Sequence, residues 1–112
     1  MNVNPHNNQT TFNLQVATLL QILIVNRNFF FPPPFAPRIM YQALLNNKFN
    51  MRTTTMRGLL RYFVSVEAQA NQITNEQVIS RATDMFMRTA GRQEKLDYKT
   101  LSDQVNFMIR GH

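Results

Sequence analysis

An all-α fold is predicted by three features of this chain. Apolar residues recur at helical spacing in several separate stretches. Cap-forming Thr, Asn and Asp stand in front of those stretches, and no pair of alternating runs joined by a tight turn is visible. With 112 residues and an ordinary hydrophobic content of 44%, there is room for one domain and one modest core. The expected architecture is a small irregular helical bundle of about five helices with a Pro/Phe-rich extended loop.

Residues 1–11 are polar and Asn-rich and read as a flexible tail, which leaves residues 12–112 as a single helical domain. Thr11 or Asn13 caps a first helix running to about Val25. Its apolar residues, Leu14, Val16, Ala17, Leu19, Leu20, Ile22, Leu23, Ile24 and Val25, cover nearly the whole circumference. Such a helix must be buried, and in so small a domain a partner is needed to help bury it. The β-branched cluster Ile22 to Val25 is also compatible with a strand.

Asn26 to Pro37 is expected to be extended and not helical. Pro32, Pro33 and Pro34 fix φ, remove donors and push Phe31 out of the helical region, giving a short polyproline II rod flanked by aromatics. Pro37 suits the first turn of a second helix that reaches about Asn46 and carries Ile39, Met40, Ala43 and Leu44. The Thr53 to Thr55 run caps a third helix, about Met56 to Ala70, whose buried face is read as Met56, Leu59, Leu60, Phe63 and Val66. Thr74 and Gln77 match a capping box, with Ile73 and Val78 as its hydrophobic staple, for a helix to about Thr89 that Gly91 stops. Asp97 is read as the cap of the last helix, whose stripe is Leu101, Val105, Met108 and Ile109.

Composition narrows the function. Without cysteine there is neither a disulfide framework nor a thiolate metal site, which leans toward a reducing compartment. No run reaches the roughly 18 to 20 apolar residues of a membrane span, and the start lacks the basic and small-residue features of a signal peptide, so an intracellular chain with no membrane role is expected. His6 lies in the tail and His112 is the last residue. All carboxylates lie beyond residue 66, and Gly58, Gly91 and Gly111 build no phosphate-cradling loop. The expectation is therefore no catalytic, cofactor or metal site and no small-molecule substrate.

Binding features are easier to find. Phe29, Phe30, Phe31 and Phe35 surround Pro32, Pro33 and Pro34, a pattern that suits a rigid aromatic anchor in a partner's groove. The alternative is a loop folded over its own core. Met87, off the apolar face of its helix, is a further contact candidate. The formal net charge is +6, and the first acidic residue is Glu67. Residues 1–66 thus carry Arg27, Arg38, Lys48, Arg52, Arg57 and Arg61 unopposed, while the remainder balances. Lys48, Arg52, Arg57 and Arg61 are the candidate contacts for an anionic protein or for nonspecific nucleic acid, the alternative being a solvated face. No signature of sequence-specific recognition accompanies them.

Two resemblances extend this reading. Ile73-Thr-Asn-Glu, Arg81-Ala-Thr-Asp-Met-Phe-Met and Lys95-Leu-Asp-Tyr-Lys-Thr-Leu-Ser-Asp-Gln-Val105 resemble the end of a histone fold as found in chromatin-remodelling subunits. That likeness implies a heterodimeric, DNA-associated subunit. Met1-Asn-Val-Asn, Phe29-Phe-Phe-Pro-Pro-Pro and Asn46-Asn-Lys-Phe-Asn-Met-Arg-Thr-Thr-Thr55 resemble small basic nucleocapsid-associated proteins of baculoviruses. This second likeness implies a viral structural protein acting in nucleocapsid and virion assembly in the host nucleus. The leading expectation is a non-enzymatic assembly protein held in an obligate hetero-complex. A histone-fold-like subunit and a regulatory adaptor that uses its Phe/Pro segment as a ligand are the alternatives.

Overall fold

A computed structural model describes residues 5–46 and 53–111, with residues 5–8 described at the backbone only. Those residues form six helices and no strand: α1 (Pro5–Val25), α2 (Arg27–Phe30), α3 (Pro37–Asn46), α4 (Met56–Ala70), α5 (Glu76–Arg88) and α6 (Arg92–Arg110). The all-α bundle is therefore the architecture adopted, with one short helix more than the patterning predicts.

The tail expectation is corrected by α1, which already begins at Pro5. Proline is well suited to a first helical position because its missing N–H has no intrahelical partner there. Gln9 then donates to Asn13 Oδ1 one turn on (3.2 Å), so polar residues extend the helix. Asn26 ends it: its side-chain amide and its backbone N–H both donate to Ile22 O, at 2.9 and 3.1 Å. The strand alternative for Ile22 to Val25 is likewise excluded, since those residues are helical.

The start of α4 falls where expected, with Thr55 Oγ1 accepting from Gly58 N at 3.0 Å. Its buried face differs in one turn: Val64 and Ala68 are buried, whereas Val66 is exposed. The cap of α5 is Asn75, one residue beyond Thr74, because the Asn75 carboxamide oxygen reaches both Gln77 N and Val78 N. The start of α6 is five residues earlier than Asp97. Gly91 N donates to Glu94 Oε1 (2.7 Å), and Asp97 instead accepts from Gln93 on the surface. Gly91 accordingly opens α6, while α5 ends at Thr89, whose hydroxyl donates back to Phe86 O (2.6 Å). Because α5 spans 13 residues, this stretch does not form the long central helix of a histone fold.

Packing orders the helices across a molecule of 54 × 29 × 19 Å. α1 packs on α5, α5 on α4, α4 on α6 and α6 on α3, so α1 and α3 stand at opposite edges with one main neighbour each. Arg27, just past α1, bonds Thr89, just past α5, so these two helices end at the same end of the molecule. The core contains Leu19 and Leu23 of α1, Leu59, Leu60 and Phe63 of α4, Ile79 and Phe86 of α5, and Tyr98 and Val105 of α6. A polar clip adds to it. Buried Asn106 accepts from Thr54 N (2.7 Å) and donates to Thr54 O (2.9 Å), satisfying the backbone ahead of α4 from α6.

Candidate protein-binding surface

The Phe/Pro segment divides between core and surface. Arg27–Phe30 makes one helical turn, contrary to the expectation of a wholly extended stretch, and Phe31 is extended beyond it. The chain bends at Phe31, Pro32, Pro34 and Phe35, so no straight polyproline rod forms. On a helical turn consecutive side chains diverge by about 100°. Phe30 therefore turns inward and is fully buried, while Phe29 turns outward and is 59% exposed. Phe31 is buried too, between Phe86 (ring centroids 5.2 Å) and Tyr98 (5.6 Å).

Those contacts make Phe30 and Phe31 core residues and correct the view of them as docking anchors. Phe30 meets Phe86 edge-on at 5.4 Å, and its carbonyl accepts the Tyr98 hydroxyl at 2.7 Å. Burial pushes the Tyr98 phenol well above its ordinary pKa, keeping it a donor. Phe35 is half-buried against Phe63 (5.1 Å). Pro32 and Pro33, with Pro37, lie beside Leu96 and Leu101 of α6, and Pro34 is exposed. Arg27 holds the segment in place: it donates to Thr89 Oγ1 and O (2.8 and 3.0 Å), pairs with Glu94, and lies over the Phe31 ring at 4.9 Å.

The charged candidates also move. Lys48 and Arg52 lie outside the described residues. Arg57 pairs with Asp84 and donates to Ser80 Oγ (2.6 Å), and Arg61 pairs with Glu76. Both are thus tied to α5, and neither stands as a free basic ridge. The Arg57 hydrogen bond holds the Asp84 carboxyl below its usual range against slight desolvation, aided by the charges of Arg57, Arg88 and Arg81. Arg27, Arg57 and Arg61, from the half without acids, take up Glu94, Asp84 and Glu76 of the other half. Among the described residues, Arg38, Arg81, Arg88, Arg92, Lys95 and Arg110 are left without an ion pair or side-chain hydrogen bond. Most of that unpaired charge is on α5 and α6, the part of the sequence that looks balanced. Met87 is half-buried and packs against the core, which corrects its reading as a contact residue.

The sequence marks α1 as apolar on nearly every side, but it does not say which of those residues stay uncovered. With one main neighbour, α1 buries Val16, Leu19 and Leu23 and leaves Leu14 62%, Ile24 44% and Val25 71% exposed. Phe29 of α2 stands close by in sequence, four residues past its end. On its other flank α1 forms an open groove with α5 of about 450 Å³, lined by the apolar Phe12, Val16, Leu20, Ile24 and Met85 and by the amides of Asn13 and Gln21, with Arg81 as its charged wall among the described residues. Among the described residues no group of three or more His, Asp or Glu stands together to hold a metal ion, and no helix is long and apolar enough to cross a membrane.

Comparison with protein-family models, with curated proteins and with solved structures finds no match to this chain. The surface chemistry is therefore what any functional reading rests on.

Proposed function

We propose that this chain is a non-enzymatic assembly protein that binds other proteins of a larger complex through the uncovered side of α1. The observation that carries this reading is the exposure of Leu14, Val25 and Phe29 on and just beyond an edge helix. Fully covering one such side chain is worth about 1.5–3 kcal/mol, so a partner seated here gains far more than a surface ion pair offers. The resemblance to baculovirus nucleocapsid-associated proteins supplies a setting for such an assembly, a nucleocapsid formed in the host nucleus.

A second reading, contact with nucleic acid, is favoured by the cations left without an ion pair among the described residues, most of them on α5 and α6, and it transfers the contact from Arg57 and Arg61 to those helices. The test of the main reading is a triple variant, Leu14→Ser, Val25→Ser and Phe29→Ser. Proteins that co-purify with the parent chain from native material should be lost, while the melting temperature holds. Retention of the same proteins by a folded triple variant would discard the reading.

A further inference from the structure

We infer that the α1/α5 groove receives an amphipathic helix of another protein, apolar on one face and acidic along its flank. The inference rests on the reading of the chain as protein-binding, but it uses a different face of α1. Phe12, Val16, Leu20 and Ile24 follow one another at four-residue spacing, so they form a single row along α1. Leu14 and Val25 fall well off that row by helical rotation.

The dimensions suit a helix. From Phe12 to Ile24 the row runs for about 18 Å, or a little over three turns, and Met85 of α5 faces it across the groove. Exposed Ala17 also lines the groove, where a small side chain leaves space for an incoming ridge. Apolar side chains at helical spacing on the partner would fill it, as in helix-in-groove recognition.

Charge selects among the occupants. Arg81 is the charged residue of the lining, and it has no ion pair or hydrogen bond among the described residues. Arg88, seven residues on, is also unpaired and returns to nearly the same face of α5. Arg57, Arg81 and Arg88 all act on the Asp84 carboxylate, so cations outnumber it on this side of α5. A second copy's α1 would match the apolar floor but not the arginines, because Pro5–Val25 contains no acidic residue. A nucleic acid would match the arginines and leave its phosphates facing an apolar floor, which costs desolvation without return. An acidic amphipathic helix satisfies both.

The test uses three fluorescent probes on the full chain. The first is a 16-residue stapled helical peptide with Leu at four-residue and three-residue spacing and Glu on the flanks. The second is the same peptide with Lys for Glu, and the third is a 20-base-pair duplex. Saturable binding of the Glu peptide is expected, with loss of about tenfold or more in affinity on Ile24→Glu and on Arg81→Glu, and a gain for the Lys peptide on Arg81→Glu. Ala17→Glu repeats the block at an exposed position should Ile24→Glu fail to fold. The inference is overturned if the Glu peptide does not saturate, if both peptides bind alike, or if folded groove variants bind as the parent does. It is overturned equally if the duplex alone responds to Arg81→Glu, or if sedimentation shows a dimer that Ile24→Glu dissolves while the peptide is ignored. Native partners kept by the groove variants but lost on changing Leu14, Val25 and Phe29 would end this inference and leave the assembly reading intact.

Discussion

Two neighbouring apolar stretches, α1 and the Phe/Pro segment, meet opposite fates. α1 is the more regular of the two, yet it keeps Leu14, Ile24 and Val25 in solvent. The segment after it looks like a projecting ligand, yet it places Phe30 and Phe31 at the centre of an aromatic cluster with Phe86 and Tyr98. The difference lies in the number of neighbours. α1 has one main packing partner at the edge of the array. The Phe/Pro segment crosses between the end of α5 and the face of α6 and is held there by Arg27 and Tyr98. Hydrophobicity sets what can be buried, and the count of surrounding elements sets what is.

The sharpest way to break that contrast is aromatic truncation. Phe30→Ala and Phe31→Ala should each lower unfolding stability by about 3–5 kcal/mol, while Phe29→Ala costs well under 1 kcal/mol. Urea unfolding at equilibrium measures all three, and equal losses would erase the distinction between inward and outward rings.

Tyr98→Phe probes how the segment is held. It deletes the donor to buried Phe30 O without changing ring packing, so a loss of about 1–3 kcal/mol is expected by thermal melting. An unchanged melting temperature would show that the hydroxyl contributes nothing.

Arg57→Ala is expected to cost only about 0.5–1 kcal/mol, because both members of its pair are some two-fifths exposed. Its pH signature is more informative than its size. Asp84 has a folded pKa below its unfolded value of 3.8, so the pair's stabilisation is present above that value and disappears as pH falls through the lower, folded one. Melting curves of parent and Arg57→Ala should therefore converge below about pH 4, and a constant gap down to pH 2 would refute the coupling.

The smallest effect is a gain. Gln72 has φ 62°, a left-handed conformation at the end of α4, where Ile73 N bonds back to Ala68 O at 2.8 Å. That is the site at which helices usually place glycine. Gln72→Gly should stabilise by about 0.5–1 kcal/mol, and a loss would mean the glutamine side chain makes a compensating contact.

Helix type and order and the approximate bounds of α4 were legible in the chain, because they depend on short-range spacing and on caps such as Thr55. Cap positions slipped where two cap formers adjoin, at Thr74 and Asn75, or where a glycine takes the cap and Glu94 closes it, as at Gly91. Of the four expected aromatic anchors, Phe29 alone is exposed. Periodicity cannot say which neighbour a helix will meet.

Charge gives the clearest boundary between the two kinds of information. By itself the sequence determined the total of +6 and the absence of any acidic residue before Glu67. Tertiary structure decided where that charge is felt, by bringing Arg27, Arg57 and Arg61 to carboxylates 67, 27 and 15 residues away. Among the described residues, the same pairing left Arg81, Arg88, Arg92, Lys95 and Arg110 of α5 and α6 without an ion pair. The physical reason is that screened electrostatic attraction acts over a few ångströms of space, whatever the separation along the chain.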